Sequence, residues 1–185
     1  MGSPDNLLPL QACSVESAAG HHPAHNVCLA IYVEDPAYNL NAFKRRMKNI
    51  PNLKIFALDI DLVIQWSPAR ELWKVLGPDI MSGLWKHVHL SKLIRSADDD
   101  DIKPFCVVVT INPRLSWLWK FGGLYLDTDI LVMEDILTPL SNTSFIGLHS
   151  LHPEVGICQS AIKLSRHHPV LIEWLGLLME QFDPT

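Results

Sequence analysis

The stretch LWKFGGLYLDTDILVMEDI, residues 118–136, places two aspartates, Asp127 and Asp129, directly after an apolar run that is typical of a buried strand. A carboxylate that leaves water without a partner costs several kcal/mol. The two acids must therefore lie at the end of the strand, be paired, or bind a metal ion. Gly122 and Gly123 come before the strand and end a predicted helix over residues 115–121, because glycine readily adopts positive φ.

The surrounding sequence predicts alternating strands and helices. Residues 26–33 and 53–60 are predicted strands, and a helical pattern between them indicates a parallel α/β sheet. Helices are predicted over residues 68–76, 84–95 and 168–182. Further strands are predicted at residues 105–111, 130–133, 144–150 and 156–161.

Composition restricts the class of protein. A chain of 185 residues that is 48% hydrophobic can bury one core, so we expect one domain or a piece of a larger one. A net charge of −5 gives no basis for nucleic-acid binding. The four cysteines form no C-x-x-C motif, and buried free thiols are expected rather than a disulfide. We find no signal peptide and no apolar run of the ~20 residues that a membrane span needs.

The setting of the acids indicates a ligand site. In open α/β sheets, ligands bind beyond the carboxyl ends of strands. On an extended segment, carboxylates at i and i+2 point the same way, and their oxygens suit Mg²⁺ or Mn²⁺. Such an ion would bridge the phosphates of a nucleotide. The alternative is an acidic turn in solvent, which is the preferred interpretation for a second pair, Asp59 and Asp61, that lacks the two glycines.

The segment LWKFGGLYLDTDI resembles the D-x-D-containing, sugar-binding segment of the α-1,4-galactosyltransferases of glycosyltransferase family 32. The segment CSVESAA, residues 13–19, is similar to that family's sequence near the start of its catalytic domain. The resemblance implies a GT-A-type, Rossmann-like nucleotide-sugar-binding fold. It predicts that residues 8–185 are a partial catalytic domain, incomplete at both ends, after a disordered segment over residues 1–7.

The resemblance also implies roles for individual residues. Asp127 and Asp129 would hold Mn²⁺, or another divalent cation, and the diphosphate of the donor. Gly122, Gly123 and Tyr125 would frame these acids, and Arg95 would contact the donor. No catalytic nucleophile or base is assigned.

By resemblance, the reaction is the transfer of a hexose, galactose above all, from a UDP-sugar to a hydroxyl of a glycolipid or glycan with retention of configuration. The full-length relatives would be anchored in the Golgi membrane and face its lumen. The alternative is an inactive or truncated relative that at most binds nucleotide. Another class of enzyme, the haloacid-dehalogenase-type phosphatases, has a strand similar to IFALDIDLVI, but the usual Gly-Thr after the acids is missing here.

Three features depart from the family's pattern. Lys92 replaces the aspartate of the family's S-D-x-x-R motif and puts a cation near the donor site. Residues 96–114 separate Arg95 from the D-x-D segment, and we expect them to be an insertion, with a surface hairpin as the alternative. Cys158 lies near the place of an asparagine in the family.

Overall fold

A computed structural model describes residues 9–32, 39–58, 64–68, 70–71, 74, 90–96, 111–148 and 157–181. In these ranges a sheet of six strands lies between two layers of helices. The helices are α1 (Pro9–His21), α2 (Asn41–Arg46), α3 (Ile111–Phe121) and α4 (Pro169–Gln181). The strands are β1 (His25–Tyr32), β2 (Leu53–Leu58), β3 (Leu90–Ser96), β4 (Gly123–Asp127), β5 (Phe145–Leu148) and β6 (Ile157–Leu164).

The sheet has the strand order β2-β1-β3-β4-β6-β5. Strands β1 and β2 are parallel, with Val27 opposite Leu53, as the strand–helix–strand pattern predicts. Every other neighbouring pair in this sheet is antiparallel. The α/β class is confirmed, but the sheet is mixed rather than wholly parallel.

Strand β1 contributes to the hydrophobic core on both sides of the sheet, because both of its faces are buried. Leu29 and Ile31 pack with residues of α1 and α2 on one face. Cys28 and Ala30 belong to the cluster on the other face, which α3 and α4 cover. Strands buried on both faces form nearly continuous apolar runs, which is why this strand could be predicted.

The directions of the strands place the acids at one edge of the sheet. Strands β1, β2, β4 and β5 run the same way, and β3 and β6 run the opposite way. Asp127 is the last residue of β4, so it lies at the edge where the parallel pair β1 and β2 also ends. The prediction that Asp127 lies at the carboxyl edge is confirmed.

The predicted helix over residues 84–95 is wrong for the part that the structure describes. Residues 90–96 form β3, which fills the space between β1 and β4. Its backbone pairs Leu29 with Lys92 on one side and Asp127 with Ser91 on the other. The two neighbouring strands would otherwise leave unpaired amide and carbonyl groups, whose burial is costly, so strand pairing overrides local helix propensity.

The predicted strand at residues 130–133 is also wrong. This segment leaves the sheet and runs along α1, where side-chain hydroxyls take the place of a neighbouring strand. Ser14 Oγ donates to the carbonyl of Ile130 at 2.5 Å, and the amide of Val132 donates to Ser17 Oγ at 3.1 Å. Helix α1 has no strong amphipathic pattern and was not predicted from the sequence.

The remaining predictions have mixed outcomes. The predicted strands before and after residue 150 correspond to β5 and β6, and the closing helix corresponds to α4, with Pro169 at its first position. The helix predicted at 115–121 begins earlier, at Ile111. Residues 70–71 and 74 are helical within the range predicted at 68–76. Residues 59–63 and 97–110, with Asp59, Asp61, the four-aspartate run and Cys106, lie outside the described residues.

The thiols and helices of the described ranges can be compared with the composition-based expectations. Cys28 is free and buried, Cys158 is free and partly buried, and Cys13 is free but exposed. Burial is therefore confirmed fully for Cys28 alone among these three. Across the described ranges, no helix combines the length and apolar character needed to cross a bilayer.

The turn between α3 and β4 depends on glycine. Gly122 has a φ of 64° and Gly123 a φ of 102°, and the amide of Gly122 closes the helix by donating to the carbonyl of Leu118 at 2.8 Å. A Cβ on Gly122 would lie 2.6 Å from the amide nitrogen of Arg166, which is a rigid backbone atom. The predicted glycine stop with positive φ is confirmed.

We expect Gly122→Ala to lower the free energy of unfolding. The backbone strain alone costs about 1–3 kcal/mol, and the clash with Arg166 adds to this cost. Urea denaturation followed by circular dichroism measures the change. Gly176→Ala in α4 is the matched control, because a Cβ there meets no atom within 4 Å. The control should change stability by less than about 1 kcal/mol, toward greater stability. Equal losses in the two variants would contradict the proposed role of the turn.

His22 joins the end of α1 to the segment after the acids. Its side chain is buried, with Nδ1 2.9 Å from the carbonyl of Ala18, and Nε2 accepts from the amide of Ile136 at 3.3 Å. These two bonds require the neutral ring with its proton on Nδ1. Burial lowers the pKa of His22, and the nearby Asp135 carboxylate, 3.5 Å from Nε2, opposes this shift only in part.

This lowered pKa predicts a pH dependence of stability. The unfolded chain takes up a proton on His22 near pH 6.5, and the folded chain takes it up only at lower pH. The contribution of His22 is therefore fully present above pH 6.5 and is lost as the pH falls toward the folded-state pKa. We expect the stability of His22→Gln to fall less between pH 7 and pH 5 than that of the parent chain, as measured by urea denaturation. His21→Gln, an exposed neighbour, should retain the parent's pH dependence.

Candidate functional site

Asp127 and Tyr125 share one face of β4, because residues two apart in a strand point to the same side. The Tyr125 ring is buried in the core between the sheet and α3, and its hydroxyl donates a hydrogen bond to Asp127 Oδ1. The buried ring thereby fixes the position of the donor hydroxyl. The carboxylate of Asp127 is held at the edge of the sheet by a side chain that cannot move freely.

Arg114 reaches the same carboxylate from α3. The Gly122–Gly123 turn reverses the chain, so α3 packs along β4. Arg114 lies seven residues before Phe121, a helical distance of ~10 Å. Tyr125 and Asp127 lie about 7 and 13 Å along the strand from its start, so Arg114 comes level with both of them.

The three side chains form one compact group. Arg114 Nη1 lies 3.7 Å from Asp127 Oδ1, and the guanidinium carbon lies 4.9 Å from the centre of the Tyr125 ring. The Arg114 side chain is 13% exposed and that of Asp127 is 33% exposed. Because the pair is partly withdrawn from solvent, water and salt screen it less than a surface ion pair. Arg114 thus provides positive charge at the first of the two predicted metal ligands.

Asp129 does not lie on the strand. The amide of Ile130 donates to the carbonyl of Asp127 at 3.1 Å, which closes a turn with Thr128 and Asp129 at its centre. The premise that both carboxylates lie on one extended segment is therefore wrong. Asp129 is exposed, and its carboxylate forms no hydrogen bond or ion pair with the part of the chain that the structure describes.

The carboxylates of Asp127 and Asp129 suit a hard divalent cation whose coordination sphere is completed by other ligands. Both acids offer carboxylate oxygens, which Mg²⁺ and Mn²⁺ prefer, and they lie two residues apart on a tight turn. Among the described residues, no group of three or more histidine, cysteine or acidic side chains is arranged to hold a metal ion. Any cation at Asp127 and Asp129 would thus take most of its coordination from water or from a bound molecule.

The other predicted site residues lie further away. Gly122 and Gly123 are at the opposite end of β4 from Asp127, so they direct the strand rather than touch the acids. In β3, Ser91 is opposite Asp127, and Arg95 is four residues further on, opposite Asn26. The backbone of Arg95 is thus roughly 13 Å along the strand from the position beside Asp127. Its role in donor binding stays a prediction.

Arg114 is a functional candidate that was not predicted from the sequence. It was assigned to the predicted insertion over residues 96–114, and that assignment hid it. The sequence nevertheless contains a sign of this role. Arg114 directly precedes Leu115, and Arg95 would occupy the same position before Leu115 if residues 96–114 were removed. In the folded chain it is Arg114 that lies beside the D-x-D motif.

Two of the departures from the family pattern lie near this edge. Lys92 is opposite Leu126, one register position from Asp127. Cys158 is near the start of β6, and its Sγ lies 2.9 Å from Ser160 Oγ. Both residues therefore belong to the part of the sheet that borders the acids.

Comparison with known proteins finds similarity to glycosyltransferases. It is 26% identical over 174 residues to lactosylceramide 4-alpha-galactosyltransferase of Pan troglodytes and 27% identical over 180 residues to that of Mus musculus. It is 24% identical over 180 residues to human alpha-1,4-N-acetylglucosaminyltransferase. The chain is similar to α-1,4-glycosyltransferases. The resemblance predicted from the sequence is thereby confirmed.

The matches cover nearly all of this chain but less than half of each relative. The matches to the two galactosyltransferases cover 92% of this chain but only 40% of each relative, and the match to the N-acetylglucosaminyltransferase covers 94% and 44%. The chain thus spans about two fifths of the length of the curated relatives it matches. No protein-family model matches the chain. No solved structure gives a significant match.

The contact between Tyr125 and Asp127 gives a prediction for stability. We expect Tyr125→Phe to lower the free energy of unfolding by about 1.5–3 kcal/mol, because the hydroxyl bonds a charged, partly buried group. A double-mutant cycle with Asp127→Ala isolates the interaction. In the Asp127→Ala background, Tyr125→Phe should cost much less than it does in the parent chain. Equal costs in the two backgrounds would mean that the hydroxyl acts elsewhere.

Proposed function

We propose that the chain is part of a retaining glycosyltransferase that moves a hexose from a UDP-sugar to a hydroxyl of a glycolipid or glycan. The observation that carries this proposal is the position of Asp127 and Asp129 at the carboxyl edge of an α/β sheet, beside the cation of Arg114. The names of the relatives, which include a lactosylceramide galactosyltransferase, support a glycolipid acceptor. We further propose a GT-A-type fold for the complete protein.

In this proposal Asp127 and Asp129 bind the donor through a metal ion, and Arg114 attracts the donor's phosphate. Asp127 and Asp129 would hold Mn²⁺ or another divalent cation. A cation bound there would stabilise the negative charge on the departing diphosphate. Tyr125 orients Asp127 by donating to Oδ1. Arg114 lies beside Asp127 and would attract a phosphate group, which planar guanidinium groups bind well.

The predicted cellular setting follows from the same resemblance. We propose that the complete protein is anchored in the Golgi membrane with this region in the lumen. No disulfide joins Cys13, Cys28 or Cys158, all of which are free thiols in the described ranges.

A second candidate function is nucleotide binding without sugar transfer. The observation that favours it is Lys92, which stands where the family motif has an aspartate and lies opposite Leu126, the residue before Asp127 in β4. A lysine in that place removes the carboxylate acceptor that the aspartate of the family motif would offer. The two functions differ in turnover and not in UDP binding.

Calorimetric titration with UDP tests the shared step of both functions. We expect binding in the presence of Mn²⁺ and much weaker binding without it. Asp127→Asn and Asp129→Asn should each weaken Mn²⁺-dependent binding at least roughly tenfold, since even groups that only orient metal ligands change metal affinity by about 10- to 100-fold. The double variant should lose binding.

The matched control is Glu134→Gln, which removes the same charge from an exposed neighbouring residue. Its UDP affinity should equal that of the parent chain. A folded parent chain that binds no UDP with Mn²⁺ would refute the proposed site. Binding of UDP without hydrolysis or transfer from any UDP-hexose would favour the second function.

A further inference from the structure

Asp127 is already partnered within the chain. Its Oδ1 accepts a hydrogen bond from Tyr125 and lies 3.7 Å from Arg114 Nη1. The same oxygen atom faces both groups, so a cation that approached Asp127 would meet a resident positive charge. Two cations beside one carboxylate repel each other, and the repulsion is strong where the local dielectric constant is low.

The position of Arg114 is set by packing. Its guanidinium lies over the Tyr125 ring at 4.9 Å, and only 13% of its side chain is exposed. The neighbouring residues of α3, Leu115 to Leu118, are buried and fix the helix against the sheet. An arginine held in this way keeps its charge near Asp127, unlike a surface lysine that moves through solvent.

We propose that Arg114 is the built-in counter-cation of Asp127 and that it opposes the binding of a divalent cation in the absence of nucleotide. This inference rests on the proposed function. A diphosphate brings negative charge that can compensate both the arginine and the metal ion. Nucleotide and metal therefore bind in a coupled manner, each raising the affinity for the other by the same factor.

The proposal predicts a gain of metal affinity on removal of the arginine. Arg114→Gln and Arg114→Met remove the charge, and methionine retains much of the apolar contact with Tyr125. Titration with Mn²⁺ alone, followed by the electron paramagnetic resonance of the free ion, should give roughly tenfold tighter binding in both variants than in the parent chain, within the usual range of coupling. Arg114→Lys keeps the charge and should bind Mn²⁺ as weakly as the parent chain.

The same variants should show weaker coupling between Mn²⁺ and UDP. In the parent chain, saturating UDP should raise Mn²⁺ affinity by a larger factor than in Arg114→Gln, because the resident charge no longer has to be compensated. Arg166→Gln is the matched control, because Arg166 is exposed at the opposite end of β4, beside Gly122. Neither Mn²⁺ affinity nor coupling should change in that variant.

The outcomes separate the inference from the proposed function. An arginine with a purely structural role would weaken Mn²⁺ binding when removed, so equal or weaker binding by a folded neutral variant overturns the inference. If the parent chain still binds UDP with Mn²⁺, the proposed function survives that result. If the folded parent chain binds no UDP with Mn²⁺, both are overturned. If glutamine at this position prevents folding, the comparison of the methionine and lysine variants gives the same test.

Discussion

Between α3 and β4 the chain reverses direction through two glycines, and the site depends on this reversal. Both residues have positive φ, and the space at Gly122 is closed by backbone atoms that precede α4. The turn lays α3 against β4, which brings Arg114 level with Asp127. A residue with a Cβ would have to move the helix, and with it the charge that faces the carboxylate. Two residues without side chains thus determine the electrostatics of an edge about 13 Å away.

The parts of the structure that could be predicted are those with a local physical cause. The apolar run before Asp127 needs a sheet interior, and carboxylates cannot follow it inside, so the acids had to lie at its end. The two glycines mark the helix end because few other residues adopt their conformation. Strand β1 is apolar from Val27 to Ile31, since both of its faces are buried. In each case a few adjacent residues contain the whole signal.

The parts that could not be predicted depend on residues far apart in the sequence. In β3, Leu90, Leu93 and Ile94 have a spacing that fits a helix, and only the two open strand edges on either side select the strand. Residues 130–133 look like a strand, but the hydroxyls of α1 bind their backbone. Arg114 acquires its role only through the fold, because its partner lies across a turn on another element.

The bonds from α1 to the segment after the acids extend the functional unit toward the beginning of the chain. Ser14, Ser17 and His22 hold three successive points of residues 130–136, so the helix and this segment form a single brace on one face of the sheet. The turn with Asp129 is thus anchored on one side by β4 and on the other by a helix more than a hundred residues earlier in the sequence. The segment that contains both acids is therefore fixed at both ends. A domain boundary drawn at β1 would separate this segment from the helix that holds its far end.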